Sequence, residues 1–235
     1  VAVYRRRGDG APDAACLNAL RCSLNGLRHE VLAFAPLGHV ERHLRAWRPG
    51  KSARDWPQLK LFPHPGAGPL PWLVNLLWAK ARGTHLIALS DDVRPGPGLF
   101  EELAAGARLA ENVGAVGPLT NGTMLPWQKG PPGASGDFRR THYLREFCLL
   151  VPKAVFVRHG GFDERFRLGV WGTDYCLRLR QAGYQVLVAG GTMARRLPGP
   201  DWGLQMPTGV PDGEASDAKL LFEKWGGHPL FEKAR

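Results

Sequence analysis

Asp91 and Asp92 are the residues of this chain whose type and spacing point most directly to chemistry. They follow Leu86, Ile87, Ala88 and Leu89, a short apolar run bounded by breakers, which is the pattern of a buried strand in a mostly parallel sheet. Ser90 stands between the run and the acids, and Pro95, Gly96, Pro97 and Gly98 then turn the chain into the helical pattern LFEELAAGARLA. Open α/β sheets bind ligands at the carboxyl ends of their strands, and two adjacent carboxylates there repel unless a cation or a donor neutralises them. A hard divalent cation suits such oxygens. The plainer alternative is a solvated turn, where Asp is common.

A strand of this kind needs neighbours, and the chain supplies them in alternation. Val1 to Tyr4 reads as a first strand, followed by a turn and a helix in which Ala15, Cys16, Ala19, Leu20 and Leu24 recur at helical spacing, with Asp13 as its cap. His29 to Ala35 is a second strand, followed by a helical segment through Trp47. Leu59 to Phe62 is a third strand, and WLVNLLWAKARG a helix closed by Gly83. Strand, helix, strand, helix, strand predicts a doubly wound, mostly parallel sheet. The second half differs. Gly114 to Asn121 and Phe147 to Val151 read as strands separated by a Gly/Pro-rich loop, Gly122 to Gly136, of a length usually tied to function. A short helix over Pro152 to His159 leads to the turn GGFDERF. A helix from Thr173, capped by that residue and carrying Asp174 in its first turn, precedes a strand over Gln185 to Ala189. The tail holds one amphipathic piece, DAKLLFEKW.

At 235 residues with 44% hydrophobic content, the chain can bury the core of one large α/β domain, and its 30 Gly and 20 Pro predict many loops around the sheet. The net charge of +10 favours an anionic partner, be it a phosphorylated metabolite or an anionic membrane face. Nucleic acid is disfavoured, because the arginines are scattered and only Arg5, Arg6 and Arg7 form a tract. Cys16, Cys22, Cys148 and Cys176 show no CxxC spacing, so they read as reduced packing residues of a cytoplasmic protein. No apolar run approaches membrane-spanning length, and Val1 to Asp9 has no signal core. The strand-like opening VAVYRR is what a module cut from a longer protein would show.

The ordered series of segments resembles the family 2 glycosyltransferases, which have a GT-A fold. CLNAL resembles that family's opening helix, and NLLWAKARG, with Asn75 eight residues before Gly83, its helix before the acidic strand. ALSDDV stands where the family has its Asp-x-Asp signature. GAVGPLTN resembles the next strand, GGFDERF with TDYCLRLRQAGYQVLVA the acceptor-side segment, and DAKLLFEKWG the terminal helix. The resemblance implies one compact GT-A domain with a nucleotide-sugar-binding half over residues 1–121 and an acceptor-binding half over 122–235. It implies transfer of one sugar, with inversion, from a nucleoside diphosphate sugar to a saccharide, lipid-linked or protein acceptor, assisted by Mg²⁺ or Mn²⁺. The Gln-x-x-Arg-Trp sequence of the processive members is missing.

Carried onto this sequence, the resemblance makes Asp92, with Asp91, the metal ligand and Asp174 the general base. Arg5, Ser90, Asp91, Asn75 and Arg195 fall on the donor side. A helix N-terminus would keep Asp174 ionised, although Asp there is also a common cap. Three departures stand out. Ser90 occupies the place of the signature's first aspartate, TMARRLPG has no histidine, and the second strand ends in Ala35, Pro36 and Leu37 rather than an acid. Arg195 or Arg196 could meet a diphosphate directly in place of the histidine, or lie solvated on the surface. Trp171 and Gly172 could offer a face to a sugar ring, Asn121 could touch the donor sugar, and Trp127 could line an acceptor pocket or staple its loop. These departures leave a non-catalytic nucleotide-sugar-binding module as the alternative.

Overall fold

The computed structural model describes residues 1–4, 14–35, 58–65, 68–123, 125–197 and 212–228. Its elements in chain order are β1 (Ala2–Tyr4), α1 (Ala14–Ser23), β2 (Val31–Ala35), β3 (Leu59–Pro63), α2 (Leu70–Lys80), β4 (His85–Ser90), β5 (Val93–Pro95) and α3 (Leu99–Ala107). There follow β6 (Val113–Thr120), a 3-10 turn (Pro126–Gln128), β7 (Phe138–Arg140), β8 (Cys148–Pro152), α4 (Lys153–His159), α5 (Trp171–Gln181), β9 (Gln185–Arg196) and α6 (Asp212–Trp225). The segment between β2 and β3, where a helix through Trp47 was expected, lies outside the described residues, as do Arg5 and Asp13.

One nine-stranded sheet runs β3-β2-β1-β4-β8-β6-β9-β5, with β7 also on β9. β1, β2, β3, β4, β6 and β9 share one direction, while β5, β7 and β8 run against it. The mixed α/β domain with a mostly parallel sheet is therefore present as expected. The central strands β1, β2, β4, β6 and β8 are buried almost throughout because helices cover both faces. Leu86 and Ala88 of β4 join a layer with Val74, Leu77 and Trp78 of α2, Trp171 and Tyr175 of α5, and Leu221 and Trp225 of α6. Ile87 and Leu89 face the other way, into a layer with Cys16, Leu17 and Leu20 of α1 and Leu99 and Leu103 of α3. Burying each such side chain is worth roughly 1.5–3 kcal/mol before chain entropy is set against it.

Several local expectations change. Helix α5 begins at Trp171, so Thr173 is inside it and Val170 stands at the cap position without a side-chain hydrogen bond. Helix α2 ends at Lys80 on an extended Ala81, not on Gly83. β9 does not stop at Ala189: its register against β6 slips between Pro118↔Ala189 and Leu119↔Met193, and the strand continues to Arg196. Gly190 and Gly191 permit that slip. A Cβ on Gly190 would lie 2.2 Å from the Asp137 carboxylate, and one on Gly191 2.5 Å from the Ala134 carbonyl. The extension gives β9 a tail that pairs with β5, next to the acidic tip. All four cysteines are free, and burial pushes the Cys176 thiol up to about 12. No described helix is long and apolar enough to cross a membrane.

Candidate functional site at the carboxyl edge of the sheet

The carboxyl ends of β1, β4, β6 and β9 meet at one edge. Ser90 closes β4 opposite Tyr4, and the Asp91 amide donates to the Tyr4 carbonyl at 3.0 Å. Ser90 is fully buried on the side of Leu86 and Ala88, and its hydroxyl has no hydrogen-bond partner. Asp91 and Asp92 are half-buried at the mouth.

The tail of β9 brings a fixed cation to Asp92. Arg196 donates from Nη2 and Nε to Asp92 Oδ2 at 2.6 and 3.2 Å, and from Nη1 to the Gly122 carbonyl at 2.7 Å. Its backbone is clamped by Asn121, whose side chain accepts from the Arg196 amide at 2.7 Å and donates to its carbonyl at 3.1 Å. The guanidinium also lies 5.7 Å from the Phe147 ring centroid. Successive side chains of a strand point to opposite faces, so Arg195 is exposed while Arg196 turns inward. Of the two arginines, it is Arg196 that meets Asp92.

Two other expected residues, Asn75 and Asp174, are engaged in contacts between elements. Asn75 spends its amide on the GGFDERF turn, donating to the Phe162 carbonyl and to Glu164 and accepting from the Phe162 amide. It therefore holds that turn against α2. Asp174 is 0% exposed. Its Oδ1 accepts from Trp225 Nε1 at 2.8 Å and meets Lys224 Nζ at 2.7 Å, while Oδ2 accepts from Arg178 Nε at 3.1 Å. Both oxygens are engaged, so Asp174 joins α5 to α6, and a substrate hydroxyl would have to displace a partner to reach it. Trp127 donates to the Tyr143 carbonyl at 2.8 Å and stacks edge-on with His142 and Tyr143, which is the staple alternative.

The residue that sequence reading missed is Glu146. β8 runs antiparallel to β4 with Cys148 opposite Leu89, and the Ser90 amide donates to the Phe147 carbonyl, so Glu146 falls next to Asp91 across the pair. The residue is 3% exposed; Oε1 meets Arg145 Nη2 at 3.3 Å, and Oε2 has no hydrogen-bond partner. The first turn of α5 packs directly on it, since a Cβ on Gly172 would lie 2.9 Å from the Glu146 Cβ. The available signal was an acid at the mouth of the buried strand FCLLV.

A divalent cation fits this donor set when it arrives with a phosphate. Asp91 and Asp92 give two hard carboxylates, and Mg²⁺-like ions on nucleotides are held by one or two carboxylates plus phosphate and water. Among the described residues no group of three or more His, Cys, Asp or Glu forms a complete cage. A cavity of about 1040 Å³ lined by His29, Glu30, Lys60 and His85 opens at the opposite, amino edge of the strands. We place the site at the carboxyl edge because converging charge and strand ends, not volume, mark ligand sites on such sheets.

No family model and no curated protein sequence matches the chain. Among solved structures, GalNAc-T7 with UDP, GalNAc and Mn²⁺ superposes with a TM-score of 0.70 at 12% identity, over 95% of this chain and 47% of that one. A mannosyltransferase from Pyrobaculum calidifontis in complex with GDP-Man and Mn²⁺ gives 0.60 at 15% identity, over 85% and 57%. TarS 1–349 of S. aureus gives 0.56 at 12%, over 83% and 59%. The chain thus spans about half the length of these structures. The fold is that of the GT-A glycosyltransferases.

Proposed function

We propose that the protein is a glycosyltransferase that moves one sugar from a nucleoside diphosphate sugar to an acceptor hydroxyl with inversion. The observation that carries this reading is the assembly of Asp91, Asp92 and the clamped Arg196 at the carboxyl edge of a GT-A sheet. Residues 1–121 hold the donor and 122–235 shape the acceptor side, where a saccharide, a lipid-linked or a protein acceptor would enter. Contact with an anionic membrane face belongs to the same reading, given the net charge of +10.

Arg196 keeps Nε and Nη2 on Asp92 and would offer its remaining guanidinium hydrogens to the diphosphate, with Asn121 and Gly122 fixing its direction, so little ordering remains when the donor arrives. Asp91 and Asp92 would hold Mg²⁺ or Mn²⁺, which neutralises charge on the leaving diphosphate when bound. Buried Ser90 can donate one hydroxyl to the donor or to a water beside it.

The test is release of nucleoside diphosphate from UDP-GalNAc and GDP-mannose, with and without Mn²⁺. Asp92→Ala is expected to lower turnover by about a hundredfold or more; equal rates in the two proteins remove the role given to Asp92. The non-catalytic alternative is favoured by one observation, the Arg196 fork that Asp92 already holds. Tight donor binding without turnover over a broad acceptor panel would establish it.

A further inference from the structure

Tyr4 is the centre of an unusual group. It pairs with Ser90, its ring lies 5.6 Å from the Trp171 ring, and its hydroxyl donates to the Glu146 carbonyl at 3.0 Å. Each of these three neighbours carries a buried polar atom with no hydrogen-bond partner: Ser90 Oγ, Trp171 Nε1 and Glu146 Oε2. A buried unpaired polar group costs about 1–3 kcal/mol, more when charged. Buried polar groups are normally paired, so a hydroxyl or water reaching these three would supply the partners that the chain does not.

The backbone beside them is strained in the same place. Val170 has φ 53°, the one non-glycine positive φ among the described residues, and it leads directly into Trp171. A β-branched residue there is a genuine outlier, of a kind that persists where surrounding structure holds it and that clusters at functional sites. Gly172 lets the first turn of α5 close onto the Glu146 backbone, at 3.0 Å from a virtual Cβ to its Cα. The helix N-terminus, which favours negative charge, then faces the segment before β8 that carries Glu146.

We propose that Glu146 is the general base of the transfer and that Ser90 and Trp171 help seat the acceptor beside it. This rests on the transferase reading above. In the step, the acceptor oxygen forms a bond to the anomeric carbon, and the bond from that carbon to the diphosphate oxygen breaks, its electron pair leaving with the nucleoside diphosphate. The acceptor hydroxyl's proton passes to Glu146 Oε2 and from there to solvent. Glu146 is suited to this and Asp174 is not, since Asp174 accepts from Arg178 and Trp225 and pairs with Lys224, whereas one oxygen of Glu146 is open to a new donor.

Water can replace the acceptor, so the test needs no acceptor identity. Wild type, Glu146→Gln, Glu146→Ala and Asp174→Asn are compared for release of UDP from UDP-GalNAc and of GDP from GDP-mannose with Mn²⁺, for binding of UDP and GDP by calorimetry, and for thermal melting. Glu146→Gln should lower release about 10²- to 10⁴-fold with nucleotide affinity unchanged. Azide needs no proton removed, so it should restore donor cleavage to Glu146→Ala, with glycosyl azide as product; a merely structural role would not give that rescue. Release by a folded Glu146→Gln protein at the wild-type rate, or azide rescue in Asp174→Asn but not in Glu146→Ala, overturns the assignment alone. Absence of donor cleavage by the wild type overturns the transferase reading and this assignment with it.

Discussion

Whether a side chain reaches the edge of this sheet depends on parity along its strand. Arg195 and Arg196 are chemically equal, yet only Arg196 meets Asp92, because one residue of register reverses the face. Arg196→Ala should therefore weaken UDP and GDP binding about ten- to a hundredfold, the worth of a lost charge-assisted fork. Arg195→Ala should leave it within about twofold, and calorimetry separates the two. The acids of the β4 tip could be read from sequence because a strand end beside two aspartates is a local pattern. The choice between the arginines could not, since it follows from the Gly190–Gly191 slip, and a register is a relation between two strands.

Among the elements, α6 does work that its amphipathic sequence only hints at. Asp217 is 1% exposed, and its carboxylate accepts from the amides of Arg167, Leu168 and Gly169 at 2.8, 2.7 and 2.9 Å. Burial raises its pKa, against the pull of those three amides. Lys224 and Trp225 of the same helix reach Asp174. Helix α6 thus straps the segment that leads into Val170 and α5. Asp217→Asn turns an NH₂ group toward donors and should cost about 1–3 kcal/mol in urea unfolding. It should also speed hydrogen exchange at residues 167–169, and unchanged exchange there would refute the strap. That DAKLLFEKW forms a helix follows from its period. Its partners lie some fifty residues away, as the separation of Asp217 from Arg167 shows, and no local pattern records them.

For the molecule as a whole, acid should loosen the GGFDERF turn and its tie to α6. The hydrogen bond from Arg165, aided by Lys224, holds the Asp163 carboxyl well below the usual carboxylate range, although burial opposes it. A depressed folded pKa gives stability that is present above the unfolded value of about 4 and is lost as pH falls through the folded one. Arg165 is 65% exposed, so solvent screens the pair and the contribution is at most about 1 kcal/mol. Asp163→Asn should therefore lower stability near neutral pH and flatten its fall below pH 4, as measured by denaturant midpoints across pH. A parallel fall in both proteins would remove Asp163 from the acid response.

Composition and period by themselves determined the layered α/β architecture, because burying apolar strands under amphipathic helices is written in local spacing. They also determined the acidic tip at Asp91 and Asp92 and the segment order that resembles a glycosyltransferase. Only the tertiary structure decided that Arg196 sits on Asp92, that Asn75 and Asp174 hold elements together, and that Glu146 keeps an oxygen open beside Tyr4. The reason is physical: a side chain's role is set by which donors and acceptors surround it, and here those come from strands and helices far apart in the chain.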